Sequence, residues 1–248
     1  MSPVSTSVVT ALRLILVLVI STQLAGCLLT RVYTFKNQFC DYQANFTLLI
    51  DDGVTLQMHK PVLLDTDVIW LLGAEPTDRS EGDGQLEIAY VVEKDLAESS
   101  PEYSIPLILR FSNYNGEQLL NTGTINRNLS AMITPGLIVE TIAHACNSRT
   151  SILKRNVEFD LNDLDRNDIP SRTQIFDALG PPQQSLQNGH EIVYRFRLQG
   201  ADPKAAKSYA RVWFEPNGNT VERVRLRYLI YELDANFIAG KGSIAIHL

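Results

Sequence analysis

The stretch Ile192-Val193-Tyr194-Arg195-Phe196-Arg197-Leu198 places an apolar side chain at every second position and an arginine at two of the positions between them. A period of two is typical of a β-strand that turns one face to a core and the other to solvent. The same period returns at residues 210–214 and 224–230, with turn-forming residues between the segments. This part of the chain is therefore predicted to form an antiparallel sheet.

The alternation sorts the side chains of this sheet into two sets. The inward set is apolar and is expected to form a core; it comprises Ile192, Tyr194, Phe196, Ala210, Val212, Phe214, Val224, Leu226 and Tyr228. The outward set holds six arginines and two aromatic residues, which are Arg195, Arg197, Tyr209, Arg211, Trp213, Arg223, Arg225 and Arg227. We refer to this outward set as the arginine face.

The arginine face has a composition that is common at binding hot spots, and the planar arginine fork suits carboxylates and phosphates. One interpretation is a site for an anionic partner, such as an acidic protein surface or a lipid phosphate. The other is a surface that packs on the acidic first half of the chain or is merely solvated. The sequence leaves both open.

Before this sheet, a strand at Val157–Leu161 leads into the acidic loop Asn162–Asp168. Ser171 and Gln174 have the spacing of a capping box, which predicts a short helix that ends at Leu179 before Gly180. After the sheet, a last strand is expected at Ile244–Leu248.

The first half of the chain also predicts short strands and helices. Asp51-Asp52-Gly53 lies between two apolar segments and indicates a hairpin. Further predictions are a helix from Asp65 to Leu72 with Trp70 in the core, a polar loop at 74–85, strands at 86–92, 105–111 and 119–125, and a helix at 134–146.

These elements predict an α+β protein of two small units, each a mostly antiparallel sheet with one or two short helices. The expected units are residues 27–150 and 151–248. Residues 27–150 carry 8 basic and 16 acidic side chains, whereas residues 151–248 carry 13 and 12. The negative balance of the chain argues against nucleic acid as a partner.

The N-terminal segment resembles the leader of bacterial lipoproteins. Leu24-Ala25-Gly26-Cys27 follows the apolar run Leu14–Ile20, which is too short to span a bilayer as a mature helix. The resemblance implies that residues 1–26 are a signal peptide and that Cys27 becomes the lipid-bearing N-terminus. Leu28 stands where inner-membrane lipoproteins of enteric bacteria typically carry Asp, which favours the periplasmic side of the outer membrane. From Leu28 to about Lys36 we expect the chain to leave the membrane and to join the first strand early.

A second resemblance concerns the C-terminal part. Leu179-Gly180-x-Pro182, Tyr194-x-Phe196 and Val212-x-Phe214 followed by Asn217-Gly218 are similar to the pattern of SmpA/BamE-type outer-membrane lipoproteins. The resemblance covers roughly residues 171–224. It implies short helices against an antiparallel sheet and an accessory role in an outer-membrane assembly machine.

Once Cys27 is acylated, Cys40 and Cys146 remain as an even pair in an oxidising compartment, which predicts a disulfide. Two buried free thiols are the alternative.

No motif for enzymatic chemistry or for a cofactor was found. Asp163-x-Asp165-x-Asn167 matches the first ligand positions of a calcium loop, but Asp168 and Gln174 stand where that loop needs glycine and glutamate. We therefore interpret the segment as a polar turn without a metal. Asp65 and Asp67 could form a carboxylate pair for acid/base work, but helix capping explains them more simply.

Three classes of function remain. The first, which the sequence favours, is a non-enzymatic envelope lipoprotein that acts as an interaction or assembly module. The second is a carrier or sensor of a small ligand, for which a large apolar pocket with a few polar groups would be the sign. The third is an envelope hydrolase without a recognisable motif, for which clustered carboxylates or a buried His–Asp pair would be the sign.

Cys27→Ser is expected to release the protein from membranes or to block its processing, because the acyl chains that hold it are attached to that sulfur. Cell fractionation with gel electrophoresis measures both effects. A Cys27→Ser chain that stays membrane-bound and fully processed would contradict the anchor.

Overall fold

The computed structural model describes residues 28–51, 53–82, 84–95, 104–126, 138–139, 149–151, 156–200, 208–216 and 218–246. Its helices are α1 (residues 28–38), α2 (Tyr42–Asn45), α3 (Asp65–Leu72) and α4 (Arg172–Leu179). Its strands are β1 (Phe46–Ile50), β2 (Gly53–Met58), β3 (Asp78–Gly82), β4 (Gln85–Lys94), β5 (Ile105–Tyr114), β6 (Glu117–Asn126), β7 (Arg149–Ser151), β8 (Asn156–Asp160), β9 (Gln184–Leu186), β10 (Glu191–Leu198), β11 (Ser208–Phe214), β12 (Val221–Tyr228), β13 (Tyr231–Asn236) and β14 (Lys241–Ile246).

These strands form one continuous sheet in the order β1-β2-β6-β5-β4-β10-β11-β12-β13-β14-β8-β7, with β3 paired to β4 and β9 paired to β10. Each pairing between the described strands is antiparallel. The α+β class with a mostly antiparallel sheet is confirmed. The sheets expected for the two units are joined edge to edge at β4 and β10, and the division of the chain into two units stays a prediction.

The junction between β4 and β10 is short. Val92, Glu93 and Lys94 pair with Leu198, Arg197 and Phe196, and beyond these three pairs the two strands diverge. β3 then pairs with the other end of β4, and β9 pairs with the other end of β10.

Polar side chains form hydrogen bonds with backbone N–H and C=O groups at the point where β4 and β10 diverge. The Thr77 hydroxyl accepts from the Val91 N–H at 2.9 Å. The Gln183 side chain accepts from the Arg195 N–H at 3.1 Å and donates to the Arg195 carbonyl at 2.9 Å. These bonds replace the strand pairing that is lost there, because a buried backbone group without a partner is costly.

Lys94 lies at this junction on the concave side of the sheet and is only 1% exposed. Its ammonium donates to the Pro181 carbonyl at 2.7 Å and lies 5.1 Å from the ring centre of Tyr194. Tyr194 is itself fully buried and donates to the Gly180 carbonyl at 2.9 Å. The first turn after α4 is thereby held against both strands of the junction.

The helix α1 corrects one expectation, since residues 28–36 form a helix and do not extend towards the first strand. Val32 and Phe35 pack on the core cluster beneath β4–β6, at helical spacing. Arg31 donates two hydrogen bonds to Asp67 of α3, at 2.6 and 2.7 Å, and the Asp67 side chain is only 3% exposed. This ion pair ties α1 to the body of the protein.

The predicted helices α3 and α4 are confirmed, with a change at the start of α3. The Asp67 carboxylate accepts from the Leu64 N–H at 2.9 Å, whereas Asp65 pairs with Arg79. The predicted core position of Trp70 is wrong, because α3 turns Val68 and its other apolar residues inward and leaves Trp70 57% exposed. The Ser171 capping box of α4 is present with both of its bonds.

Two further differences concern strands. Part of the predicted polar loop at 74–85 forms β3, whose residues are all exposed and pair through their backbone with β4. The predicted strand at 224–230 ends at Tyr228, because Leu229 adopts a φ of 52° and turns the chain into β13. Backbone pairing creates β3, and a backbone turn ends β12. Neither feature produces an alternation of apolar residues, so the sequence does not predict it.

Lys94→Met should change how stability depends on pH. Burial lowers the pKa of Lys94 from 10.5 to about 8, so between these values the unfolded chain holds a proton that the folded chain has lost. Stability therefore rises with pH across this window, and below pH 8 the folded state carries the full cost of the buried ammonium.

The expected result is that the stability of Lys94→Met relative to the unsubstituted chain is greatest below about pH 8 and declines towards about pH 10. Urea denaturation over this range measures it. A stability difference that does not change with pH would contradict the assignment.

Candidate functional site

A cavity of about 630 Å³ lies on the concave side of the sheet. Residues of β6 and of β8, which stand many strands apart in the sheet order, both face it, so the sheet curls around it. Its volume lies within the range of small-molecule sites in proteins. It is lined by Leu72, Val92, Ile105, Leu107, Ile125, Ile138, Phe159, Leu161, Pro170, Leu179, Phe196, Ser208, Ala210, Val212, Val224, Leu226, Arg227, Tyr228, Leu233, Ala235 and Phe237.

The predicted inward set supplies one side of this cavity. Six of its nine members line the cavity: Phe196, Ala210, Val212, Val224, Leu226 and Tyr228. The other three, Ile192, Tyr194 and Phe214, are at most 2% exposed and belong to the cluster that includes Ile175 of α4. The inward orientation is confirmed, but part of the expected solid core is a cavity.

Small side chains at central positions keep this space open. Ala210, Val212, Val224 and Ala235 occupy inward positions on β11, β12 and β13, where larger residues would reach across. Next to Ala235, Gly242 of β14 makes room for Phe159, since a Cβ there would stand 2.3 Å from its ring. These small inward residues are the signal in the sequence that could have indicated a cavity.

The polar groups in the wall are few. Ser208 accepts from the Leu229 N–H at 3.2 Å. The Tyr228 hydroxyl is buried and has no hydrogen-bond partner among the described residues. Burial raises the pKa of Tyr228 to about 12, so its hydroxyl keeps its proton at neutral pH.

The arginine face lies on the opposite side of the sheet. The register pairs Tyr209 with Arg227, Arg211 with Arg225, and Trp213 with Arg223 between β11 and β12. Between β10 and β11 the register pairs Arg195 with Tyr209. Since paired residues project to the same side, the predicted residues share one surface, although Arg227 also contributes to the cavity wall. The structure brings them together as the sequence indicates, and their binding role stays a prediction.

Carboxylates of neighbouring strands lie among these arginines. Arg223 and Arg225 both contact Asp234 at 2.6 Å. Hydrogen bonding from Arg223, followed by that from Arg225, holds the pKa of Asp234 below its usual value. Arg197 and Arg211 lie 3.8 Å from Glu93 and Glu191, respectively.

Three further contacts complete this surface. Arg211 lies over the ring of Tyr209, whose hydroxyl donates to Glu232 at 2.9 Å, and Arg223 lies over the ring of Trp213. The six arginines thus stand among four carboxylates of the same sheet. Much of their charge is balanced within the sheet itself.

Other predicted site residues divide into two groups. Cys27 and Cys146 lie outside the described residues, so the lipid attachment and the disulfide stay predictions; Cys40 lies in a 3₁₀ turn after α1. In the acidic loop, Asp165 accepts from the Asn167 N–H at 2.9 Å and caps a 3₁₀ turn. The predicted polar turn is therefore confirmed.

Among the described residues, no three His, Cys, Asp or Glu side chains lie close enough together to hold a metal ion. No helix in that same part of the chain is long and apolar enough to cross a membrane. Comparisons with protein-family models, with curated proteins and with solved structures find no match to this chain. Its function is therefore inferred from its own geometry.

Reversing three arginines of the arginine face tests what the surface does. In a triple change of Arg197, Arg211 and Arg225 to Glu, each new carboxylate faces the acidic partner that the arginine has now. We expect the free energy of unfolding to fall by about 1–3 kcal/mol in total, because these pairs are partly exposed.

Urea denaturation measures this change. Unchanged stability, together with loss of the protein's function in cells, would instead indicate that the arginines serve an external anionic partner.

Proposed function

We propose that this protein is a lipid-anchored binding protein of the bacterial envelope that holds an apolar ligand in the cavity. The observation that carries the proposal is the cavity itself, whose wall is apolar apart from Ser208, Arg227 and Tyr228. A large apolar pocket with a few polar groups is the sign expected of a ligand carrier or sensor. This function is one of the three classes that the sequence leaves open.

The chemistry of the wall favours a ligand with a hydrocarbon chain. Burying a methylene group contributes about 0.8 kcal/mol, so a chain of about ten methylenes gains about 8 kcal/mol before the costs of association. Leu, Ile, Val and Phe side chains from β4–β6, β8 and β10–β13 provide the apolar surface. Such a wall offers little to a sugar or a nucleotide, whose polar groups would lose their hydration there.

The proposed location agrees with this ligand class. An acylated Cys27 would directly precede α1, and the Arg31–Asp67 ion pair holds α1 to the body. The cavity would then stay at the membrane surface, where alkyl-chain compounds are concentrated. We place the protein on the periplasmic side, at the outer membrane, as the leader implies.

A second candidate function is docking of an anionic envelope partner on the arginine face. Its support is exposure: the side chains of Arg197 and Arg211 are each 49% exposed and only 3.8 Å contacts link them to carboxylates. The interaction or assembly role favoured by the sequence would use this surface. The two candidate functions use opposite sides of the sheet and do not exclude each other.

Filling the cavity is expected to abolish ligand binding. The full chain carrying Cys27→Ser is used, so that its own acyl chains cannot enter the cavity. It is titrated with N-phenyl-1-naphthylamine, an uncharged apolar probe that fluoresces in apolar surroundings. We expect saturable binding, and Ala210→Trp should weaken it at least about tenfold by occupying the space, a loss of about 1.4 kcal/mol in binding free energy.

Ala245→Trp is the matched control, because the register places Ala245 opposite Glu232 on the outward side of the sheet. This variant should bind the probe as the parent does. Urea denaturation checks that both variants fold. Absence of saturable binding to the parent, or equal binding to both tryptophan variants, would contradict the proposed function.

A further inference from the structure

The helix α1 turns a side without acidic residues away from the body of the protein. Its exposed positions form one continuous strip along the helix, which we call the outer face of α1. Leu29 and Tyr33 lie one helical turn apart in this strip and are 60% and 64% exposed. The full strip comprises Leu29, Thr30, Tyr33, Thr34, Lys36 and Asn37.

Contacts on the opposite side of α1 hold this face outward. Val32 and Phe35 pack on the core cluster beneath β4–β6, and the buried Asp67 carboxylate accepts both hydrogen bonds from Arg31. These contacts fix the rotation of the helix about its axis. Leu29 and Tyr33 therefore stay at the surface, because side chains on the other side of the same helix are held in the core.

Charge distinguishes the outer face from the rest of the first half of the chain. Residues 27–150 carry 16 acidic side chains, and the first of them is Asp41, beyond the end of α1. The outer face carries one basic residue, Lys36, and no acidic residue. Nothing in its own sequence would therefore repel the phosphates of a phospholipid surface.

The polar groups of the outer face also tolerate a lipid surface. The Thr34 hydroxyl donates to the Thr30 carbonyl at 2.8 Å, so it keeps a hydrogen bond when water is removed. Tyrosine rings prefer the membrane–water interface, because the ring is apolar and its hydroxyl is polar. Leucine and lysine together are typical of helices that lie in that interface.

We propose that the outer face of α1 lies in the head-group region of the phospholipid layer, with Leu29 and Tyr33 inserted between lipids. This inference rests on the lipid anchor in the proposed function and adds a second contact with the same membrane. An acylated Cys27 would stand two residues before Leu29, a distance of at most about 7 Å of extended chain. The anchor would therefore keep this face within reach of the lipids.

Such a contact would set the orientation of the whole protein. The core contacts of α1 and the Arg31–Asp67 ion pair join the helix to the body. A body joined to a helix that lies in the interface takes one orientation on the membrane, whereas a body on a lipid tether alone turns freely.

The test asks whether lipid reaches position 33. The processed, lipid-bearing protein is reconstituted in vesicles of phosphatidylethanolamine, phosphatidylglycerol and phosphatidylcholine brominated near the top of its acyl chains. Both native tryptophans, Trp70 and Trp213, are changed to Phe, and Tyr33→Trp then supplies the only tryptophan. An interfacial helix buries its apolar face by about 5–10 Å, so the bromines should roughly halve the emission of this tryptophan.

Ile238→Trp in the same background is the matched control, because Ile238 is 55% exposed. Tyr231, at the start of β13, contacts α3, and the length of β13 separates that end from Ile238. Its emission should be the same with and without bromine. Leu29→Asp added to Tyr33→Trp should remove most of the quenching, because an ionised carboxylate resists leaving water. Urea denaturation checks that each variant folds.

Vesicle flotation separates the two possible failures. If the protein floats with the vesicles but bromine does not quench the tryptophan at position 33, the inference fails and the anchor stands. If that tryptophan is shielded from aqueous acrylamide without quenching by bromine, a second copy of the chain covers the face and the inference fails as well. If the protein does not float, the anchor of the proposed function fails, and the inference fails with it.

Discussion

The backbone pairing of β4 with β10 is the constraint on which the rest of this structure depends. Strands from the first half of the chain provide Val92, Ile105 and Ile125 to the cavity wall, and strands from the second half provide the opposite side. Three residue pairs join these halves of the sheet, and Thr77, Gln183 and Lys94 satisfy or shield the backbone around them. Without that junction, each half would expose an apolar surface to solvent.

The two sides of the sheet differ in chemistry because successive side chains along each strand point to opposite sides. On the concave side, small residues leave a space that a hydrocarbon chain can enter. On the convex side, arginines of β10–β12 lie among carboxylates of β4, β10 and β13, so the charge of the exposed surface is partly balanced. Such a surface is soluble and resists association with apolar partners, which suits a protein whose apolar surface is concentrated on the other side.

The sequence predicts the elements of this fold better than their assembly. Strand periodicity identified the inward and outward sets correctly, and the Ser171 capping box located α4, because both signals are local. The junction between β4 and β10 has no local signal, since it depends on hydrogen bonds between residues about one hundred positions apart. The cavity also has no local signal of this kind, because alternation indicates which side a residue such as Tyr228 faces and not whether that side is filled.

The position of β14 has a consequence for the order of folding. This strand lies between β13 and β8, so β8 and β7, which are synthesised much earlier, reach the sheet only through it. Neither can take its place until the segment Lys241–Ile246 has emerged, because antiparallel pairing requires both neighbours. The edge of the sheet formed by β8 and β7 is therefore completed only after this later segment is available. Until then, Phe159 lacks its neighbour Gly242, whose missing side chain leaves room for the Phe159 ring.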